Sequence, residues 1–160
     1  MFDQLIDFLT GSSSPAAGGV NQLQIAVAAL LVQVALMDDQ FEPAERAVIA
    51  RLLAERFGLD SDAVARLMAT AERKSEQSTQ LYPFVRLLLE RFDEIERVQM
   101  VEMLWEVAYA DGVLHPDEDA LIRRVGGLLY VSDHDRGTAR KRVLQRRGLV
   151  EQNAKRTEGT

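Results

Sequence analysis

Seven carboxylates crowd two short segments of this chain: Asp38, Asp39, Glu42 and Glu45 in one, and Asp111, Asp117 and Glu118 in the other. Oxygen ligands at that density suit a hard divalent cation, Ca²⁺ or another oxygen-preferring metal, which also accepts loop carbonyls. Asp38 and Asp111 are expected at the C-terminal ends of helices, where the macrodipole disfavours a carboxylate by up to about 1 kcal/mol. A bound cation would relieve that repulsion. A metal-free reading stands beside it. Pro43 and Pro116 suit first-turn positions, which makes Glu42 and His115 the caps. Glu45 and Glu118 can then accept the cap residue's backbone N–H, and Asp111-Gly112 is a common turn dipeptide. Neither segment is an EF-hand, which needs alternating acids, Gly at the sixth position and Glu at the twelfth.

The two segments are versions of one pattern. Residues 34–49 align without a gap on residues 107–122, at a constant offset of 73. In each, a helix ends, the chain turns through acids, and a new helix opens at proline. Two copies, rather than the three or more of a solenoid, predict an internal duplication packed on itself about a pseudo-two-fold. The acidic turns then form either two sites or one shared site.

The elements that position these turns read as helices throughout. Val20 to Met37 is rich in Ala, Val and Leu, as expected of a helix buried around most of its circumference. Val48, Ile49, Leu52, Leu53 and Phe57 stripe the next helix, which Gly58 ends. Asp60 or Ser61 opens a third, running to about Arg73 before a polar break at 74–79. Leu81 to Phe92 follows, and Asp93 with Glu96 has capping-box spacing ahead of a long helix to Ala110. Pro116 opens the next, and Ser132 with Asp135 caps a last helix, Asp133 to Arg147. No alternating run of strand length is present. The expectation is a compact all-α bundle of about seven or eight helices. An amphipathic helix at 1–10, a flexible linker at 11–19 and a polar tail at 149–160 flank a domain at 20–148.

Composition narrows the function classes. The chain has 160 residues, no cysteine and a net charge of −6, which removes disulfide scaffolds, thiolate metal sites and cysteine nucleophiles. Its first residues carry acids where a secretory signal carries bases. The longest apolar stretch, 25–37, falls short of the roughly 20 residues a spanning helix requires. Residues 1–122 hold 9 basic and 21 acidic side chains, whereas 123–160 hold 10 and 4. The acidic body argues against nucleic acid as the partner. Arg136, Arg140, Lys141, Arg146 and Arg147 give the last helix a basic side that either balances the body or meets a protein partner or anionic lipid headgroups.

Catalytic signals are weak. His115 and His134 lack the i, i+4 partner of a helical zinc motif, and His115 reads as a cap. The Gly126-Gly127 pair, expensive in a helix interior, is expected to mark close packing or a kink. Trp105, Tyr109 and Tyr130 are expected in or near the core.

The repeated pattern of a small residue, Asp, Gly or Asp, an apolar residue, then proline and Glu before an apolar helix resembles the TerB-like family, related to tellurite-resistance proteins. The resemblance covers roughly 22–147. It implies a compact helical domain without established catalysis, cytoplasmic or peripheral at the inner membrane surface, associated with stress responses and suspected of divalent-metal binding. Asp38, Glu45, Asp111 and Glu118 match the family pattern, and Asp39 departs from it by standing where Gly is usual.

Overall fold

Residues 14–38, 41–77 and 80–149 are described by the computed structural model, with backbone alone for 14–21 and 38. These residues form seven α-helices and no strand: α1 Ser14–Ala35, α2 Pro43–Phe57, α3 Ser61–Gln77, α4 Tyr82–Arg91, α5 Glu94–Ala108, α6 Pro116–Leu128 and α7 Asp133–Arg146. A 3-10 turn, Leu36–Asp38, closes α1. The all-helical expectation holds. The terminal segments 1–13 and 150–160, read as amphipathic helix, part of the linker and polar tail, lie outside the described residues.

Two helices organise the core. α1 packs against α2, α3, α4 and α5, and every residue from Ala26 to Ala35 is buried. A helix covered on all sides needs apolar residues around its whole circumference, hence the Ala-Val-Leu composition. α5 packs against α1, α2, α6 and α7, burying Met100, Val101, Leu104, Trp105 and Val107. Each such large side chain contributes about 1.5–3 kcal/mol by leaving water. Trp105 also donates its indole N–H to the Arg136 carbonyl at 3.2 Å, which fixes α7 along α5.

Helix starts follow local chemistry. Capping boxes open α2 (Glu42 with Glu45), α5 (Asp93 with Glu96) and α6 (His115 with Glu118). Asp60 accepts from the Ala63 N–H at 2.8 Å at the head of α3, and Ser132 from the Asp135 N–H at 3.1 Å at the head of α7. Arg46 then ties α2 to α3 through both oxygens of Glu72, at 2.7 and 3.2 Å. The hydrogen bonds to Glu72 hold the Arg46 guanidinium above the ordinary arginine range.

Four expectations change. α1 begins at Ser14, inside the stretch that composition assigns to a linker. α3 continues to Gln77 through the polar run, because Ser75 faces inward and its hydroxyl donates to the Ala29 carbonyl at 3.4 Å while Lys74 and Glu76 face water. Gly126 is buried but has room for a methyl group, whose nearest neighbours would be Arg136 Cδ at 3.6 Å and Val101 Cγ2 at 3.9 Å; Gly127 faces open space. Packing therefore requires neither glycine. Tyr130, expected near the core, is 81% exposed, whereas Trp105 and Tyr109 are buried as expected.

Tyr130 also carries an unusual backbone. α2, α6 and α7 end alike, with an apolar residue's N–H returning to a carbonyl five positions back: Leu59 to Ala54, Val131 to Gly126 and Leu149 to Leu144. The residue before each apolar one must be left-handed in this Schellman turn. It is Gly58 at φ 62° and Gly148 at φ 69° in two cases, and Tyr130 at φ 60° in the third.

Candidate functional site

The second acidic turn is described in full. α5 ends at Ala108, and the chain passes through Gly112 at φ 84°, a left-handed position that glycine adopts without strain. Asp111 sits three residues beyond the helix and accepts from the Val113 N–H at 3.0 Å through Oδ1, an Asx turn. Its Oδ2 lies 3.7 Å from His115 Nε2. Glu118 is completely buried and accepts from the His115 N–H at 3.2 Å. Asp117 points to solvent on the outer face of α6. The acids of this turn are thus divided among turn, cap and surface, and do not converge.

At the first turn the cap is the same. Glu45 is buried and accepts from the Glu42 N–H at 3.1 Å. Glu42 is half-buried at the N-cap of α2. The side chain of Asp38, and Asp39 altogether, lie outside the described residues. Among the described residues no group of three or more His, Asp or Glu side chains is placed to hold a metal ion. At the second turn Asp111 is held by the Val113 N–H and Glu118 by the cap of α6.

The basic helix is placed more firmly. Glu106, buried in α5, gathers three arginines from two segments: Arg51 of α2 at 3.3 Å, and Arg146 of α7 at 2.8 Å with Arg147 just beyond it at 3.4 Å. One turn earlier, Glu102 pairs with Arg142 at 3.2 Å and Arg146 at 2.5 Å. Burial pulls the Arg146 pKa down, but hydrogen bonds to Glu102 and Glu106 outweigh it and hold the group above the ordinary arginine range. Arg140 donates to the Tyr109 hydroxyl at 2.7 Å and lies over the Trp105 and Tyr109 rings. Arg136 pairs with Asp133 at 2.7 Å and is largely covered. Of the five side chains read as a partner-binding face, the four arginines are engaged within the domain, and Lys141 is exposed.

Sequence reasoning overlooked Glu102 and Glu106. The signal was there: a glutamate inside Met103-Leu104-Trp105-Glu106-Val107-Ala108 is an ionisable group in an otherwise apolar helix, and such a group requires a partner. Two open clefts flank this helix. One, of about 530 Å³, runs between α2 and α5 past Arg51, Arg56, Met103 and Glu106. The other, of about 450 Å³, lies between α5 and α7 and exposes Ile95 beside Val98, Asp135 and Arg142. No described helix is long and apolar enough to cross a membrane.

Among the described residues, seven helices packed about α1 and the buried half of α5, with box-capped helices after acidic turns, define a class: an all-helical domain whose ionisable groups secure helix ends and helix pairs. The chain belongs to the TerB family. The family described as "Tellurite resistance protein TerB" matches residues 24–141, well over half of the sequence. A crystal structure of a protein of unknown function from Porphyromonas gingivalis W83 shares the fold at 23% identity with a TM-score of 0.56, covering 76% of this chain and 95% of that one. No curated protein matches the chain.

Proposed function

We propose that this TerB-family domain is a non-enzymatic scaffold of a cytoplasmic stress response, acting by binding at its surface. The carrying observation is the use of its interior charges: Glu45 and Glu118 close helix caps, and Glu102 and Glu106 clamp α7 to α5. Groups committed to architecture in this way hold a rigid frame and leave recognition to exposed helix faces and to the first acidic turn.

A divalent, oxygen-preferring cation such as Ca²⁺ is assigned to that first turn. Asp38 ends the 3-10 turn after α1, and Glu42 caps α2 at Pro43, so Asp38, Asp39 and Glu42 belong to one short connection between helix ends. Titration calorimetry of the full chain with Ca²⁺, Mg²⁺, Mn²⁺ and Zn²⁺ is expected to show heat that Asp38→Asn removes and Asp111→Asn leaves. Absence of heat with all four ions removes the cation from the proposal.

A protein partner is favoured over an anionic membrane surface, because the α7 arginines are turned to the domain's own carboxylates and rings. Flotation with phosphatidylserine vesicles tests that preference. Recovery of the chain with the vesicles, abolished by Lys141→Glu, would reverse it.

A further inference from the structure

The outer face of α6 has a charge pattern that complements its own reverse. Asp117 and Asp119 occupy the first turn, and Arg123 and Arg124 come one to two turns later. Leu121, Ile122, Val125 and Gly126 are buried on the inner face. Pro116, Asp117, Ala120, Arg123, Arg124 and Gly127 are exposed on the other. Two large apolar side chains bracket this stripe, Val113 before the helix at 57% exposure and Tyr130 after it at 81%.

Tyr130 is the residue that architecture does not explain. The equivalent turns after α2 and α7 place glycine at this left-handed position, and a bulky side chain there is strained. Its ring gains little burial within the domain to offset that strain. Strained backbone at an exposed aromatic points to a contact outside the domain, and tyrosine and arginine are the side chains most enriched at interface hot spots.

We infer that α6 pairs with α6 of a second copy of this chain, antiparallel about a two-fold axis at the level of Leu121 and Ile122. In that register Asp117 comes beside Arg124 of the second copy on one flank of the contact, and Asp119 beside Arg123 on the other. Pro116 falls opposite Gly127, where the missing side chain permits close approach. Val113 and Tyr130 of the second copy meet at each end. Every contact is made twice, as an isologous interface requires. The Arg123–Asp119 pair within each helix, at 3.1 Å, joins the intermolecular charges into one continuous set. This inference goes beyond the scaffold reading and does not depend on a cation.

Sedimentation equilibrium of the full chain tests it. The expected mass moves from the 17.9 kDa monomer to twice that value between micromolar and millimolar concentration. Arg124→Glu alone and Asp117→Arg alone each place like charges side by side and lose the dimer. Their equimolar mixture restores it, because in the mixed dimer an acid faces a base at both copies of this contact. Tyr130→Gly yields a monomer that unfolds at a higher temperature than the parent chain, separating loss of contact from loss of fold. A parent chain that stays monomeric throughout overturns the inference, as does a dimer indifferent to all three substitutions. Flotation of the monomer with phosphatidylserine vesicles through Tyr130 would assign the face to lipid and overturn it equally.

Discussion

Arg146 places two nitrogens, Nε and Nη2, on the same oxygen of Glu106, at 3.0 and 2.8 Å, across 40 residues of sequence. Glu106 is almost wholly buried whereas Arg146 remains half-exposed. The pair thus pins an outer helix to the core from the inside. Arg51 and Arg147 share the same carboxylate, so a single buried acid joins α2, α5 and the end of α7.

Removing that acid should weaken the domain. Breaking a buried pair from one side costs about 3–5 kcal/mol where both partners are enclosed. The exposed arginines here reduce this to roughly 2–3 kcal/mol, since water rehydrates them. Urea unfolding of Glu106→Gln should show a lower midpoint and an unfolding free energy reduced by that amount. Arg142→Gln, at an exposed pair with Glu102, should change stability by less than about 1 kcal/mol.

Tyr130→Gly should stabilise the fold. The Schellman turn after α6 needs a left-handed residue, and removing the Cβ there relieves about 1 kcal/mol of strain. Glycine's larger freedom in the unfolded chain offsets part of that gain. Thermal unfolding at a concentration where the chain is monomeric is the appropriate measurement. A Tyr130→Ala chain should gain little, because alanine keeps the Cβ.

Gly127→Ala should stabilise by about 0.5–1 kcal/mol, the helix-propensity difference, since nothing lies within 4 Å of the added methyl. Gly126→Ala should follow in the same direction, with Arg136 Cδ at an ordinary contact distance. Denaturant midpoints that fall instead of rising would show that α6 is not helical at these positions in solution.

Glu118→Ala should cost about 1–2 kcal/mol, because the His115 N–H loses its acceptor and a buried cavity replaces the carboxylate. Glu45→Ala should behave alike at α2. Hydrogen exchange resolved by residue should show faster exchange at the His115 and Glu42 amides in the respective variants.

The repeated Pro and Glu were legible in the sequence because a capping box links residues three apart and depends on nothing beyond the first turn of its helix. The same locality made Asp60, Asp93 and Ser132 readable as helix starts. Asp111 was less transparent: its Asx turn to Val113 is also local, yet the net acidity of the segment resembled a cation site equally well. Tyr130 was misread because an aromatic beside apolar residues usually goes inside, and only the Schellman geometry turns it outward.

Apolar periodicity, helix signals and the spacing of the acidic turns thus determined by themselves that the chain is all-helical and where most helices begin. Which helices touch was decided by tertiary structure alone. Glu106 meets Arg51, 55 positions before it, and Arg146, 40 positions after it. No sequence period encodes such distances. The pairing arises when α2 and α7 settle against the buried α5, and that packing turns an apparently free basic helix into the clamp of the domain.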